Sequence, residues 1–389
     1  MNGPVVIKGF AAELPRYCRP QHEAFEWLAA AHARAAVTES RREDSFEKWR
    51  ERIAQLVRRY SCAEEHIGWR YSEIADFMHT DWPRMRIFNL HESPQGRGIH
   101  VRNAFYAETA GRVVESMFAG DLEPPSDLLH VSCTGYVSPS AIQRLIELKR
   151  WNRRTMATQV YHMGCYAAIP ALRIASGLLS RSGGNIRRRA EIIHTELCTL
   201  HFNPADHSPE QLIIQTLFAD GHIRYSVAPG HGMDPRESER AFELLSIREE
   251  IVPDSLEDMT WALSEWGFQM TLSRDVPGRI ASCLPRFLSS LFEDVGINYS
   301  KEGGGEMIYA VHPGGPRILD SIEELLGLER RQIQLSRDVL FERGNMSSAT
   351  LPHIWMAAAS DNNIKPGALV VSLAFGPGLT IAGALFRKC

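Results

Sequence analysis

Short apolar runs recur along this chain at long intervals, and the stretches between them carry the three-to-four-residue spacing of amphipathic helices. Pro4-Val5-Val6-Ile7-Lys8-Gly9-Phe10 opens as a strand, and Pro20-Gln21-His22-Glu23 starts a helix that continues to about residue 37. Strands are predicted again over 128–132, 191–195, 307–311 and 368–372. Near-continuous apolar strands separated by helices predict an α/β fold.

Several helix ends are also legible. Ser138-Pro139-Ser140 caps a helix running to residue 149, and residues 167–179 are apolar almost all round, which predicts a helix buried against other helices or the sheet. Cys165 stands just before that buried helix, where the positive end of the helix dipole would favour a thiolate. Further helices are expected over 320–340, broken at Gly327, and over 347–359. Gly183-Gly184 and Gly303-Gly304-Gly305 read as turns, and the triple glycine lacks the lysine and helix that follow in a phosphate-binding loop.

Composition narrows the class. With 389 residues, 44% hydrophobic and 23% charged, the chain is long enough for a large core and two packed halves. A net charge of -4 gives no footprint for nucleic acid or an anionic membrane, and the clusters Arg58-Arg59 and Arg187-Arg188-Arg189 read singly as solvated surface charge. The seven cysteines are scattered without a C-x-x-C pair, so neither a zinc site nor a disulfide framework is expected, and a reducing cytoplasm is the default location. No eighteen consecutive residues are apolar, and Met1 to Phe10 has no leader pattern.

Three residues stand out chemically. Cys165 lies in Y-H-M-G-C-Y-A-A, His312 in V-H-P-G-G-P and Asn345 in G-N-M-S-S-A. Taken singly they read as a small core residue, a satisfied interior histidine and a helix cap. Together, a thiol, an imidazole to hold it as thiolate and a donor for an oxygen anion are the parts of an enzyme that forms carbon–carbon bonds from thioesters.

The wording of these segments, with L-F-A-D-G at Leu217, D-V-P-G at Asp275, V-H-P-G-G-P-R-I-L-D at Val311 and A-F-G-P-G-L-T at Ala374, resembles the thiolase-like superfamily and, within it, the type III polyketide synthases of chalcone synthase kind. The resemblance implies a thiolase fold: two pseudo-equivalent halves, 1–235 with the cysteine and 236–389 with His312 and Asn345, in five layers αβαβα. It implies a homodimer whose interface runs near Gly135 to Ser140. It makes Cys165 the acyl-accepting nucleophile, activated by His312 and Asn345, and it makes Phe218 a gate between tunnel and cavity. Ser347 and Phe375 join the substrate-binding set on the same ground.

Departures from the family pattern refine this picture. Aligned on Arg70-Tyr71, the positions that clamp coenzyme A phosphates read Val57, Tyr60 and Glu64, a loss of positive charge where a polyanion should bind. Delivery of substrates by an acyl carrier protein is therefore expected, with Arg58 and Arg59 as docking contacts and coenzyme A thioesters as the other possible form. The second gate phenylalanine of the family is Met270 here, a volume-controlling glycine is Trp261, a cavity threonine is His201, and a methionine that reaches across the dimer is Ser138. A flexible door before a restricted chamber resembles the stand-alone ketosynthases that fuse two polyketide chains into α-pyrone antibiotics of the corallopyronin and myxopyronin type. The expected reaction is Claisen condensation of two β-keto acyl thioesters followed by lactonisation, without cofactor or metal. The alternative is an alkylpyrone or alkylresorcinol synthase extending a fatty acyl starter with malonyl-CoA.

Overall fold

The computed structural model describes residues 4–180, 188–230, 240–299 and 307–389. The expected division at 235/236, the two glycine turns at Gly183-Gly184 and Gly303-Gly304-Gly305, and Arg187 lie outside the described residues. In chain order the strands are β1 (Val5–Glu13), β2 (Tyr17–Pro20), β3 (Trp69–Ser72), β4 (Asp127–Ser132), β5 (Met156–Tyr161), β6 (Ala190–Leu197) and β7 (Asp220–Pro229). They continue with β8 (Phe242–Ile251), β9 (Met259–Leu263), β10 (Phe268–Leu272), β11 (Ile308–Val311), β12 (Leu369–Gly376) and β13 (Thr380–Lys388). Each of the five strands expected from sequence is present, within a few residues of its expected bounds.

Nine of these strands form one sheet in the order β5-β4-β6-β7-β1-β8-β13-β12-β11. Its two sides repeat a single pattern. β4 pairs parallel with β6, which pairs antiparallel with β7 and so to β1; β11 pairs parallel with β12, which pairs antiparallel with β13 and so to β8. The sides meet where β1 and β8 pair antiparallel, Val5 opposite Leu244, an arrangement compatible with a twofold axis between them.

Strand alternation builds the layers. Leu128 and Ile193 face an outer core with the helices Gln21–Ser40, Ile99–Met117 and Ala141–Leu148, whereas their neighbours Leu129 and Ile192 face a central core. On the other side Val371 and Leu373 face the helices Val276–Glu293 and Pro316–Leu326, while Val370 and Ala374 face the same central core. That central layer holds the helices Ala168–Ser180 and Thr350–Ser360, apolar on most sides because sheet lies above and below them. The result is the five-layer thiolase-like α/β fold.

Local sequence signals account for the element ends. Ser140 and Gln143 close a capping box on the helix Ala141–Leu148. Gly327 takes φ +64° and ends the helix Pro316–Leu326, so that the region expected to break at Gly327 continues as a separate helix, Arg330–Arg343. Among the described residues no helix is long and apolar enough to cross a membrane.

Candidate active site

The two central helices each begin with a tight turn, and the turns meet. Gly164–Tyr166 leads into Ala168–Ser180, Ser347–Ala349 leads into Thr350–Ser360, and Cys165 Sγ lies 3.6 Å from Ser347 Oγ. Two glycines make the packing around Cys165 possible. Gly164 has φ +77°, and a Cβ there would fall 2.6 Å from Pro377 Cδ; a Cβ on Gly376 would fall 2.1 Å from the Tyr166 ring. The segments M-G-C-Y and F-G-P-G therefore interlock, and each supplies the glycine that the other's side chain requires.

Asn345 is fixed by backbone and side chain together. Its N–H donates to the Leu217 carbonyl at 3.0 Å and its carbonyl accepts from Ala219 at 2.8 Å, which ties it to the segment carrying Phe218. Its Oδ1 accepts from the Ser347 N–H at 2.8 Å and holds Ser347 at φ +51°, a conformation unusual for a residue with a side chain. Nδ2 of Asn345 is buried without a protein partner. His312 follows β11, where its N–H donates to the Leu373 carbonyl of β12 at 2.8 Å, and both of its ring nitrogens are likewise buried and unpartnered. Leaving such groups unpaired costs about 1–3 kcal/mol each. A reacting carbonyl or enolate oxygen is the kind of group that would satisfy them.

Protonation in this dry setting differs from the sequence expectation. Burial pushes the Cys165 thiol up to about 12, opposed by the hydrogen bond from Ser347 and reinforced by the Glu196 charge, and burial drives the His312 imidazole down to about 3. Burial thus disfavours the charged form of both groups, against the pull toward a thiolate expected from the helix start. Desolvation outweighs the helix dipole because two separated charges would stand where water does not reach.

Five of the expected substrate-facing residues, Phe218, Met270, Trp261, His201 and Ser347, line one cavity with Cys165. Trp261 and Met270 are cross-strand partners on the ribbon formed by β9 and β10, and Trp261 Nε1 donates to the Cys133 carbonyl at 2.6 Å. His201 is locked as well: Nδ1 accepts from the Phe268 N–H at 3.1 Å, so the proton is on Nε2, which donates to the Thr134 carbonyl at 2.7 Å. Burial keeps this imidazole neutral, with its pKa near 3. The cavity encloses only about 40 Å³, too little for a long acyl chain unless Met270 moves.

Other expected positions fall elsewhere. Phe375 points to the opposite face of β12 and packs in the outer core with Leu373 and Ile381, so it is not a cavity residue; its neighbours Gly376 and Pro377 make the contact with the turn that carries Cys165. Ser138 is exposed on its loop and does not reach the cavity of its own chain. Val57 is buried with Ile53 and Leu212, so the amphipathic pattern of the helix Phe46–Tyr60 rules it out as a surface phosphate clamp. Arg58 and Arg59 are exposed at the end of that helix, which packs on Pro209–Leu217, the helix carrying Gln211 and Ile214 of the cavity wall.

The residues missed from sequence are Glu196 and Cys133. Glu196 is fully buried, and its carboxylate accepts from the Cys133 N–H at 3.0 Å, the Thr134 hydroxyl at 2.8 Å, the Ser132 hydroxyl at 3.3 Å and the Ser348 hydroxyl. Burial raises its pKa while these donors hold it down. Cys133 Sγ lies 2.9 Å from Ser347 Oγ and 3.6 Å from Glu196 Oε2, so a chain of hydrogen-bonding groups runs from Cys165 through Ser347 and Cys133 to a buried carboxylate. The readable signal was the second of two acidic residues, Glu191 and Glu196, in the fully buried strand β6.

Comparison with known proteins agrees with this fold. Residues 243–389 match the C-terminal domain of chalcone and stilbene synthases. "Probable polyketide synthase 1" of Dictyostelium discoideum is 29% identical over 273 residues, 70% of this chain, and the chain spans only 8% of that relative's length. Among solved structures, the C-terminal type III polyketide synthase domain of Steely1 from Dictyostelium superposes with a TM-score of 0.81 at 22% identity, covering 99% of each chain. PKS-I from the brown alga Ectocarpus siliculosus gives 0.82 at 23% identity over 100% of this chain and 99% of its own. The 1,3,6,8-tetrahydroxynaphthalene synthase of Streptomyces coelicolor A3(2) gives 0.76 at 21% over 98% and 99%. The chain thus carries, over its whole length, the thiolase-like fold of type III polyketide synthases, and in residues 243–389 it matches the C-terminal domain of the chalcone and stilbene synthases.

Proposed function

We propose that this chain is a ketosynthase that joins two β-keto acyl thioesters and closes the product to an α-pyrone. The observation that carries the condensing part is the division of labour in Asn345: Oδ1 is spent on Ser347, whose hydroxyl lies 3.6 Å from Cys165 Sγ, and Nδ2 is buried with no protein partner. Cys165 Sγ attacks the first thioester carbonyl, its proton passes to a His312 ring nitrogen, and the carrier thiol leaves with that proton. His312 then takes a proton from the carbon between the two carbonyls of the second chain, and Asn345 Nδ2 donates to the enolate oxygen. That carbon bonds to the Cys165-bound carbonyl and expels the cysteine thiolate, which recovers the proton from His312.

The remaining thioester carbon and the first chain's own ketone carbon are separated by three carbons. The enol oxygen of that ketone attacks the thioester carbon, closes a six-membered lactone and releases the second carrier thiol. Every step is an acyl or proton transfer, so no redox cofactor or metal is needed. The opposed pair Trp261 and Met270 supports a single joining event, since a flexible side chain at the door admits a finished chain while the indole limits the room for repeated extension.

The enzyme works as a homodimer, with Tyr136, Leu148 and Met156 as exposed apolar residues on the side of Ser138 and the edge strand β5. An acyl carrier protein docks on Arg58 and Arg59, whose helix backs the cavity wall, and its association weakens with salt. Incubation with two different β-keto thioesters and no malonyl-CoA should give the mixed acyl-hydroxypyrone by mass spectrometry. Strict dependence on malonyl-CoA would assign the chain to alkylpyrone or alkylresorcinol synthesis instead. Charge reversal at Arg58 and Arg59 should slow turnover from carrier protein more than from coenzyme A.

A further inference from the structure

A second cavity, of about 180 Å³, lies between Arg16 and Tyr17, the segment Glu73 to Asp76 after β3, Arg86, and one face of the helix Ile99–Met117. That face presents Phe105, Glu108, Thr109 and Arg112, the spacing of a single helical stripe. No step of the proposed reaction uses any of these residues.

An account of donors and acceptors decides what this cavity can hold. Glu73 is spent, Oε1 on His222 Nε2 at 3.1 Å and Oε2 on Arg112 at 2.7 Å. Asp76 is spent too, accepting the backbone N–H groups of Arg86, Ile87 and Phe88 at 3.0, 2.7 and 2.8 Å. Arg112 divides its two terminal nitrogens between Glu13 and Glu73. Arg16 comes no closer than 4.0 Å to Glu73 and is half exposed. Arg86 sits over the Phe105 ring at 4.9 Å and uses one nitrogen on the exposed Glu108. The buried carboxylates thus have their hydrogen-bonding capacity filled by internal donors, Glu73 by Arg112 and His222 and Asp76 by backbone N–H groups, and the unspent capacity of the walls is guanidinium N–H from Arg16 and Arg86, with hydroxyls of Tyr17 and Thr109.

The same segment touches the catalytic wall. Glu73 N–H donates to Asp220 Oδ2 at 2.7 Å, Asp220 Oδ1 accepts from Thr199 N–H at 2.9 Å, and Ser72 Oγ meets Thr199 Oγ1 at 2.8 Å. Thr199 lies between Cys198 and His201, both of which line the catalytic cavity. A ligand that shifts the segment after β3 therefore pulls on the wall beside Cys165.

We propose that this cavity is an effector site for a small oxyanion, of a size between inorganic phosphate and a three-carbon dicarboxylate, gripped by Arg16 and Arg86. Titration calorimetry of the full chain with inorganic phosphate and, separately, with malonate tests it at constant ionic strength; the tighter of the two identifies the phosphate or carboxylate form. Saturable binding is expected in the millimolar range or tighter, weakened at least tenfold in R16A and R86A and unchanged in R84A, a control at an exposed arginine ion-paired with Asp81. Bound anion should also change the alkylation rate of Cys165 at least twofold. The absence of saturable binding for both probes, or equal binding in R16A and R86A, overturns the site, and binding without any effect on Cys165 overturns the coupling. Neither measurement needs the substrates, so failure here is distinct from failure of the ketosynthase reading.

Discussion

Trp261 and Met270 stand directly opposite one another across the ribbon of β9 and β10, and both face the cavity that holds Cys165. The indole is pinned by its hydrogen bond to the Cys133 carbonyl, whereas Met270 has no comparable side-chain anchor and is only partly buried against two cores. A fixed wall and a movable one therefore share a register. Trp261→Gly should enlarge the cavity and shift products toward additional condensations, and Met270→Phe should slow the longer substrates first. Product masses and chain-length profiles check both; unchanged profiles would remove this pair from specificity.

Cys165 should be the acylated residue, with Cys165→Ala unlabelled and Cys133→Ala still labelled in intact-mass experiments. Because burial holds the Cys165 thiol near 12, its alkylation by iodoacetamide should climb about tenfold per pH unit from neutrality past pH 9. A plateau below pH 8 would instead reveal a thiolate paired with imidazolium.

His312 and Asn345 should separate in stability. Their alanine variants are expected to lose product formation by roughly two to four orders of magnitude. His312→Leu removes two unpartnered buried nitrogens, so its melting temperature should equal or exceed that of the parent despite the lost activity. Asn345→Leu also removes the acceptor that holds Ser347 in its left-handed conformation, and should cost about 1–3 kcal/mol in denaturant unfolding. Equal destabilisation of the two leucine variants would contradict this division.

Glu196→Gln should destabilise by about 1–3 kcal/mol, because an amide nitrogen would meet the N–H of Cys133 or the hydroxyls of Thr134 and Ser348, which all donate to the carboxylate. It should also slow acylation of Cys165, since the group at the end of the chain through Ser347 and Cys133 changes charge. Wild-type unfolding and acylation in this variant would reduce Glu196 to a spectator.

Acid should unfold the chain early. His32, His130, His201 and His312 have folded values near 3 and His353 near 4, all through burial, against about 6.5 when unfolded. The unfolded state binds more protons below pH 6.5, so each histidine removes up to about 1.4 kcal/mol per pH unit as pH falls from 6.5 toward 3. Asp220, raised to about 6, and Glu196, also raised by burial, work in the opposite direction as they take up protons, but two carboxyls do not offset five imidazoles. Urea midpoints measured from pH 7 to 4 should fall steadily, and a flat profile would mean that these histidines are charged in the folded state.

The sequence by itself determined the α/β class, the apolar central helix after Cys165, the capping box at Ser140 and the break at Gly327, because strand patterning, caps and glycine conformation are local properties of the chain. It also marked Cys165, His312 and Asn345, whose glycine-rich surroundings reflect tight turns that only those residues permit. Only the tertiary structure decided that Trp261 faces Met270, that Phe375 turns away from the cavity, that Val57 is core and that Glu196 is linked to Cys165 through Cys133 and Ser347, since each depends on sheet register or on which face of an element is covered. Protonation belonged to the same class. A helix start favours a thiolate, but two helices closed under two sides of a sheet exclude the water that would solvate it, and desolvation is the larger effect at Cys165.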